Sequence, residues 1–325
     1  MIRLFLLVFI SVQTANFVFV SAQVNKNVLQ NKSAVKDLNI LKQKGYGFLQ
    51  SGNWLDANTV FEQILSETPD DYISLYGNGL ALFNLRQISE AENNVQKAVE
   101  ILSANNKNNA VLADSLVLSA VISAALGKNS PAVEKLLKAV EIAPENFDAN
   151  LSLGRAYFGN GDLVNAVKYF RRATNIQKNH LQARFFLATA LERSGNLPEA
   201  LEQYREVVKL NGNYAEGNLG LGVLLINIEG EKSVEGLNAL QKAVLINGNL
   251  YEARINLGKT LLKLNRTEAA IEHLSKAAEL APYNPEPHYQ LSLAYRKTGE
   301  KTKAAAELKI VKNIHEARRG VSEDQ

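Results

Sequence analysis

Apolar residues recur at spacings of three and four along most of the chain, in paired runs broken by short polar corners. That spacing gathers apolar side chains on one face of a helix. The stretch "LGRAYFGNGDLVNAVKYFRRA", residues 153–173, shows one such pair with Gly159, Gly161 and Asp162 at its corner. A glycine-rich turn that opens a helix can cradle a phosphate on free N–H groups, or it can simply reverse the chain. Recurrence decides between them. Gly52-Asn53-Trp54, Gly195-Asn196-Leu197 and Gly299-Glu300-Lys301 stand at the same place between a first and a second run. A phosphate site is expected once, beside a lysine or a metal ligand, whereas this corner returns with the pattern. Gly161 is expected to permit the tight turn and Asp162 to cap the helix that follows.

The pattern has a period of 34 residues (188 minus 154), aligning Gly154, Tyr157, Gly161, Ala166, Phe170 and Ala173 with Ala188, Leu191, Gly195, Ala200, Tyr204 and Val207. The same columns return at Gly258, Leu261, Asn265, Ala270, Leu274 and Ala277. Eight repeats start at 38, 72, 113, 147, 181, 215, 251 and 285. One column is always small: Gly45, Gly79, Ala120, Gly154, Ala188, Gly222, Gly258 and Ser292. A second is small again: Ala57, Ala91, Ala132, Ala166, Ala200, Gly236, Ala270 and Ala304. Four residues later a third is apolar or aromatic, from Phe61 and Val95 to Phe170, Tyr204 and Leu308. Two small columns mean two helix backbones that cross closely, with the large residue filling the adjoining groove.

The 34-residue helix–turn–helix unit, with its small, aromatic, alanine and proline columns, resembles the tetratricopeptide repeat. The closing proline stands in three repeats, as Pro69, Pro144 and Pro282, and Trp54 opens a second helix rather than marking a first one. The resemblance covers residues 38–318 and implies an all-α, right-handed α-solenoid whose inner wall is made of first helices. Residues 23–37 are expected as a flexible tail or short helix and 319–325 as a tail. The third repeat starts 41 residues after the second (113 minus 72), and Asn105, Asn106, Asn108 and Asn109 in the excess favour a turn. The sixth repeat carries two extra residues in "NIEGEKSVEG", expected to lengthen its corner. Each insertion reads as a hinge or as a surface loop.

The N-terminus has a different pattern. Arg3, an apolar run from Leu4 to Val12, and Val20-Ser21-Ala22 before Gln23 read as a secretory signal peptide, residues 1–22. An uncleaved anchor is the alternative, because Leu4 to Val20 spans 17 residues, although Gln13, Thr14 and Asn16 interrupt it. A full span takes about 20 apolar residues. The expected location is secreted or periplasmic, with membrane attachment only if the segment is retained.

Composition removes several functions. With 36 basic against 33 acidic residues on 325, the net charge of +3 is scattered and marks no nucleic-acid surface. The absence of cysteine excludes disulfides, thiolate chemistry and cysteine-bound zinc. The four histidines, His180, His273, His288 and His315, fall far apart with no H-E-x-x-H, and no G-x-S-x-G or phosphate-loop motif occurs. No enzyme, metal or cofactor is expected. Sequons occur at Asn31, Asn150 and Asn265, and Asn150 lies on a packed first helix.

What remains is a binding wall. The resemblance places positions 2, 5, 9, 12 and 13 of each repeat on the concave face. In repeats one to three these include Lys42, Tyr46, Leu49, Tyr76, Leu80, Phe83, Val117 and Val121. Repeats four to six add Arg155, Phe158, Phe185, Glu192, Arg193, Leu219 and Val223. Ile255, Lys259, Lys263, Tyr289, Arg296 and Lys297 complete the wall. Its N-terminal part is aromatic and aliphatic and its C-terminal part is rich in Lys and Arg. The expectation is a partner protein segment with apolar anchors and acidic groups, the alternative being that the apolar members pack between helices. A clamp for a C-terminal carboxylate is not expected, since Tyr46 and Gly77 stand where that family clamp has other residues. The resulting reading is an exported scaffold for envelope or periplasmic assembly. The alternatives are a self-associating module and a non-catalytic subunit of an enzyme or secretion complex.

Overall fold

The computed structural model describes residues 32–105 and 109–323; the expected signal peptide lies outside them. These residues form sixteen α-helices and no strand. The chain divides into two compact units, Met1–Lys178 and Asn179–Gln325. In the first unit the helices are α1 (Lys32–Gln50), α2 (Trp54–Glu67), α3 (Tyr72–Asn84), α4 (Ile88–Asn105), α5 (Asn109–Ala125), α6 (Asn129–Ile142), α7 (Phe147–Gly159) and α8 (Leu163–Ile176). In the second they are α9 (Leu181–Arg193), α10 (Leu197–Leu210), α11 (Ala215–Glu229), α12 (Val234–Ile246), α13 (Tyr251–Lys263), α14 (Thr267–Leu280), α15 (Pro285–Lys297) and α16 (Lys301–Glu323).

The small columns bring each pair together. Ala57, Ala91, Ala166, Ala200 and Ala270 are fully buried, and so are Phe61, Val95, Phe170 and Leu274 four residues on, with Tyr204 2% exposed. Phe61 of α2 lies against two first helices at once. A Cβ added at Gly45 of α1 would sit 2.8 Å from its ring, and one at Gly77 of α3 2.5 Å. No larger residue fits either face without moving the ring. Leu308, the corresponding residue of α16, is 40% exposed because no further first helix covers it.

The corners are turns, as their recurrence requires. Gly161 takes φ +81°, and Asp162 accepts hydrogen bonds from the Asn165 backbone N–H at 3.0 Å and from its side-chain amide at 2.7 Å. Arg86 and Asn265 hold the same left-handed position without glycine, at φ 66° and 58°.

In the first unit α1 touches α3, α3 touches α5 and α5 touches α7; in the second, α9, α11, α13 and α15 follow the same rule. Among the described residues, no second helix touches the next second helix. First helices therefore form the inner layer of each unit, and second helices fan outward.

Both insertions depart from the expected loops. In the third repeat the extra residues lengthen helices, since α4 runs on to Asn105 and α5 begins at Asn109. Leu102 is fully buried and Leu112 is 7% exposed, so burial at the extended ends outweighs the poor helix propensity of asparagine. Asn106 and Asn108 lie outside the described residues. In the sixth repeat α11 has 15 residues where α7, α9, α13 and α15 have 13, so helix takes up the insertion before the corner does. Residues 319–323, expected as tail, continue α16. Among the described residues, no helix is long and apolar enough to cross a membrane.

Candidate functional site: the inner faces of the first helices

Position 5 and 9 side chains in the first unit divide into those that pack and those that stay accessible. Leu80 is 6% exposed, and Leu49, Val117 and Val121 are buried as well. These four belong to the core rather than to a groove. The reason is angular: each residue advances about 100° around a helix, so a column at the edge of a face turns into the seam with the next helix. Lys42 is held too. Its Nζ meets Asp71 Oδ2 at 2.6 Å, and Asp71 Oδ1 accepts from Ser74 N–H at 2.8 Å to cap α3. Tyr46 donates its hydroxyl to the Ile73 carbonyl at 3.0 Å and sets its ring edge-on to Phe61 at 5.3 Å. Tyr76, Phe83, Arg155 and Phe158 remain half-buried on the inner layer. Burial lowers the pKa of the Arg155 guanidinium.

The residues missing from the expected wall are carboxylates at position 2. Asp114 of α5 accepts from the Asn146 side-chain amide at 2.7 Å. Burial pushes its pKa up, and the Asn146 bond opposes that shift. Asp148, in the first turn of α7, is pushed up to about 6 by burial and by the charge of Asp114. Both carboxylates act on Tyr76 of α3, whose hydroxyl is raised first by burial, then by Asp114 and Asp148. Asp114 reaches as far as Tyr46 of α1, whose pKa is raised mainly by burial and by Tyr76. Four first helices thus bring two tyrosines and two carboxylates to one stretch of inner face. A lone acidic residue in the first turn of a helix reads in the sequence as a partner of the helix dipole. The contact of α5 with α7 and the bond from Asn146 to Asp114 bring the two together, and no local pattern announces that.

In the second unit Phe185 of α9 sets its edge on Tyr214 at 5.4 Å and on Tyr204 at 6.1 Å. Tyr204 donates to Glu192 Oε2 at 2.8 Å, so this wall residue is engaged within the fold. The basic end is less open than expected. Lys259 pairs with Glu286 at 2.9 Å, and that hydrogen bond lowers the Glu286 pKa. Lys297 donates to the Leu262 carbonyl and to Asn265 Oδ1, both at 3.0 Å, across the end of α13. Arg193, Lys263, Tyr289 and Arg296 stay exposed, Tyr289 at 46%. Ile255 is buried, and Leu219 and Val223 pack against the core of this unit.

A tetratricopeptide repeat model matches residues 43–106, 124–180, 175–217 and 185–227, which together exceed half of the chain, and a TPR repeat model matches 258–299. The chain belongs to the tetratricopeptide repeat family. No curated protein sequence matches it. Three solved TPR structures share the fold at low identity. One is the C-terminal part of a TPR repeat-containing protein from Cytophaga hutchinsonii, with TM-score 0.59 and 14% identity over 77% of this chain and 99% of that one. A tetratricopeptide repeat protein from Parabacteroides merdae has TM-score 0.51 and 18% identity over 80% and 99%. YrrB, a TPR protein with an unusual peptide-binding site, has TM-score 0.50 and 24% identity over 59% and 95%.

Three of the four histidines of this TPR chain have structural work. His180 Nδ1 accepts from the Ala183 N–H at 3.2 Å to cap α9, His273 contacts Arg254 at 3.0 Å, and His288 Nδ1 lies 2.6 Å from Glu307. No group of three potential metal ligands occurs among the described residues. Asn150 is fully buried, its amide held by the Pro144 and Asn146 carbonyls at 2.8 Å each, which closes that sequon to glycan transfer. Asn265 is exposed in a corner, and Asn31 lies outside the described residues.

Proposed function

We propose that this chain is an exported scaffold that holds a segment of a partner protein against the inner faces of its first helices. One observation carries the reading: Tyr76, Phe83, Phe158 and Phe185 lie on first helices, and packing leaves all four partly accessible. Amphipathic aromatic anchors of this kind dominate segment recognition. YrrB, a TPR protein with an unusual peptide-binding site, supports peptide binding on a fold of this type. Neither matching family model is that of an enzyme.

Capture from an envelope extract with the wild-type chain and with Tyr76→Ala/Phe83→Ala tests the groove. The double variant is expected to lose specific partners while keeping its helical circular dichroism; equal capture overturns the assignment. Export is tested by sequencing the N-terminus of the mature protein. A start at Gln23 supports a cleaved signal peptide, and an intact Met1 or Ile2 overturns it.

Self-association is a second reading, favoured by Leu308 and Ile310 of α16, which are 40% and 37% exposed. A mass that rises with concentration and falls back in Leu308→Glu supports it, and a constant monomer mass removes it.

A further inference from the structure

We infer that the inner face of the first unit takes a basic side chain, an arginine or lysine of the partner segment, between Asp114 of α5 and Asp148 of α7, with Tyr76 of α3 as the adjoining apolar wall. The inference rests on the first helices being the binding surface. It adds a charge to a stretch where the sequence called for apolar anchors alone, the acidic groups being expected against the basic C-terminal repeats.

The argument is one of charge complementarity. α3 touches α5 and α5 touches α7, and the bond from Asn146, two residues before Asp148, to Asp114 at 2.7 Å ties the start of α7 to α5. The field of Asp148 reaches Tyr76, two repeats away. Asp114 has a single hydrogen bond, from Asn146 at 2.7 Å, and among the described residues Asp148 has no hydrogen bond and no ion pair. The cations of this face are placed elsewhere. Lys42 is bound to Asp71 at 2.6 Å. Arg155, seven residues after Asp148 on α7, is not among the charges that act on Asp114 or Asp148. Two half-buried carboxylates with no cation between them carry a desolvation cost that a guanidinium or ammonium would remove, through charge-assisted hydrogen bonds to both.

The helix dipole explains a carboxylate in the first turn of α7, as it does Glu216, Glu252 and Glu286 at the same position of later repeats. It does not explain a second buried carboxylate facing it. Glu286, by contrast, has its cation in Lys259 at 2.9 Å.

The test is selection of a random peptide display library on residues 23–325, wild type against Asp114→Asn/Asp148→Asn. Peptides enriched in Arg or Lys on the wild type, with the enrichment lost on the variant, are expected. A synthetic copy of an enriched peptide with citrulline for its arginine should bind the wild type at least ~10-fold more weakly, the scale of one charge-assisted hydrogen bond. This comparison needs no variant and stands even if the double variant folds poorly. Enrichment of acidic or uncharged peptides overturns the inference and leaves the groove intact. No enrichment of any peptide removes the groove reading with it. Two further results overturn it: calcium chloride alone raising the melting temperature of wild type but not of the variant, which assigns the carboxylates to a metal ion, and a dimer that only the wild type forms, which assigns them to a second copy.

Discussion

Replacing Gly222 by alanine should destabilise the second unit, although alanine is the better helix former. A Cβ at this position would lie 2.8 Å from Leu240 Cγ, 2.9 Å from Leu240 N and 3.0 Å from the Gly236 carbonyl oxygen. Two of these three atoms belong to the α12 backbone and cannot swing aside, so α12 as a whole must give way. Leu240 is fully buried, which leaves it no room to retreat. The propensity gain of Gly→Ala is about 1 kcal/mol. Inserting a methyl into a filled crossing costs roughly 1–3 kcal/mol. Because two of the clashing atoms are backbone, the packing cost is taken from the upper part of that range, roughly 2–3 kcal/mol, and the net loss expected is about 1–2 kcal/mol. Gly47 of α1 is the control, because nothing lies within 4 Å of a Cβ placed there. Gly47→Ala should stabilise by roughly 0.5–1 kcal/mol. Urea unfolding followed by helical circular dichroism gives both values, read as separate transitions if the units unfold independently. A Gly222→Ala protein as stable as wild type would refute the crossing geometry.

Other perturbations test other contacts. Asp148 has a folded pKa of about 6, above the ordinary carboxylate value near 4. A raised folded value means that its stability contribution is complete below pH ~4 and is lost as pH rises through ~6. Asp148→Asn should therefore gain on the wild type between those limits in urea midpoints taken across pH, and a parallel pair of curves contradicts the burial. Leu80→Ala should cost roughly 2–5 kcal/mol as a core deletion in thermal or urea unfolding; a groove residue would leave stability unmoved. Asp162→Ala should cost about 0.5–2 kcal/mol through the lost cap of α8, and an unchanged unfolding midpoint would show that the corner needs no cap.

The helical repeat was legible because its period is written in residues that tolerate no substitute in size. Where packing acts against local preference, the sequence misleads. Asparagines that favour a turn lie at the ends of α4 and α5 because Leu102 and Leu112 are buried there. The binding face is legible only to about one residue. Leu80, Val117 and Val121 share columns with Tyr76 and Arg155, yet a rotation of a fraction of a turn takes them into the core. The internal pairing of the basic columns was illegible for a different reason. A lysine's partner lies a whole repeat away, as Glu286 does for Lys259, and no local pattern announces it. The Asp114–Asp148 pair depends in the same way on the contact between α5 and α7, a whole repeat apart.

Phe61 fits because Gly77 of the following repeat leaves space for its ring, and Tyr204 has the same relation to Gly220, where an added Cβ would approach ring carbon Cζ to 2.7 Å. Behind the smaller Val95, Leu136, Leu240 and Leu274, the position held by those glycines carries Leu118, Ser152, Asn256 and Gln290. The modules are therefore not interchangeable. Excising the second repeat would keep the 34-residue spacing yet set Leu118 against the ring of Phe61, so recombination at the Phe61 and Tyr204 junctions is constrained by bulk as well as by length, whereas Phe186 takes the same position behind Phe170.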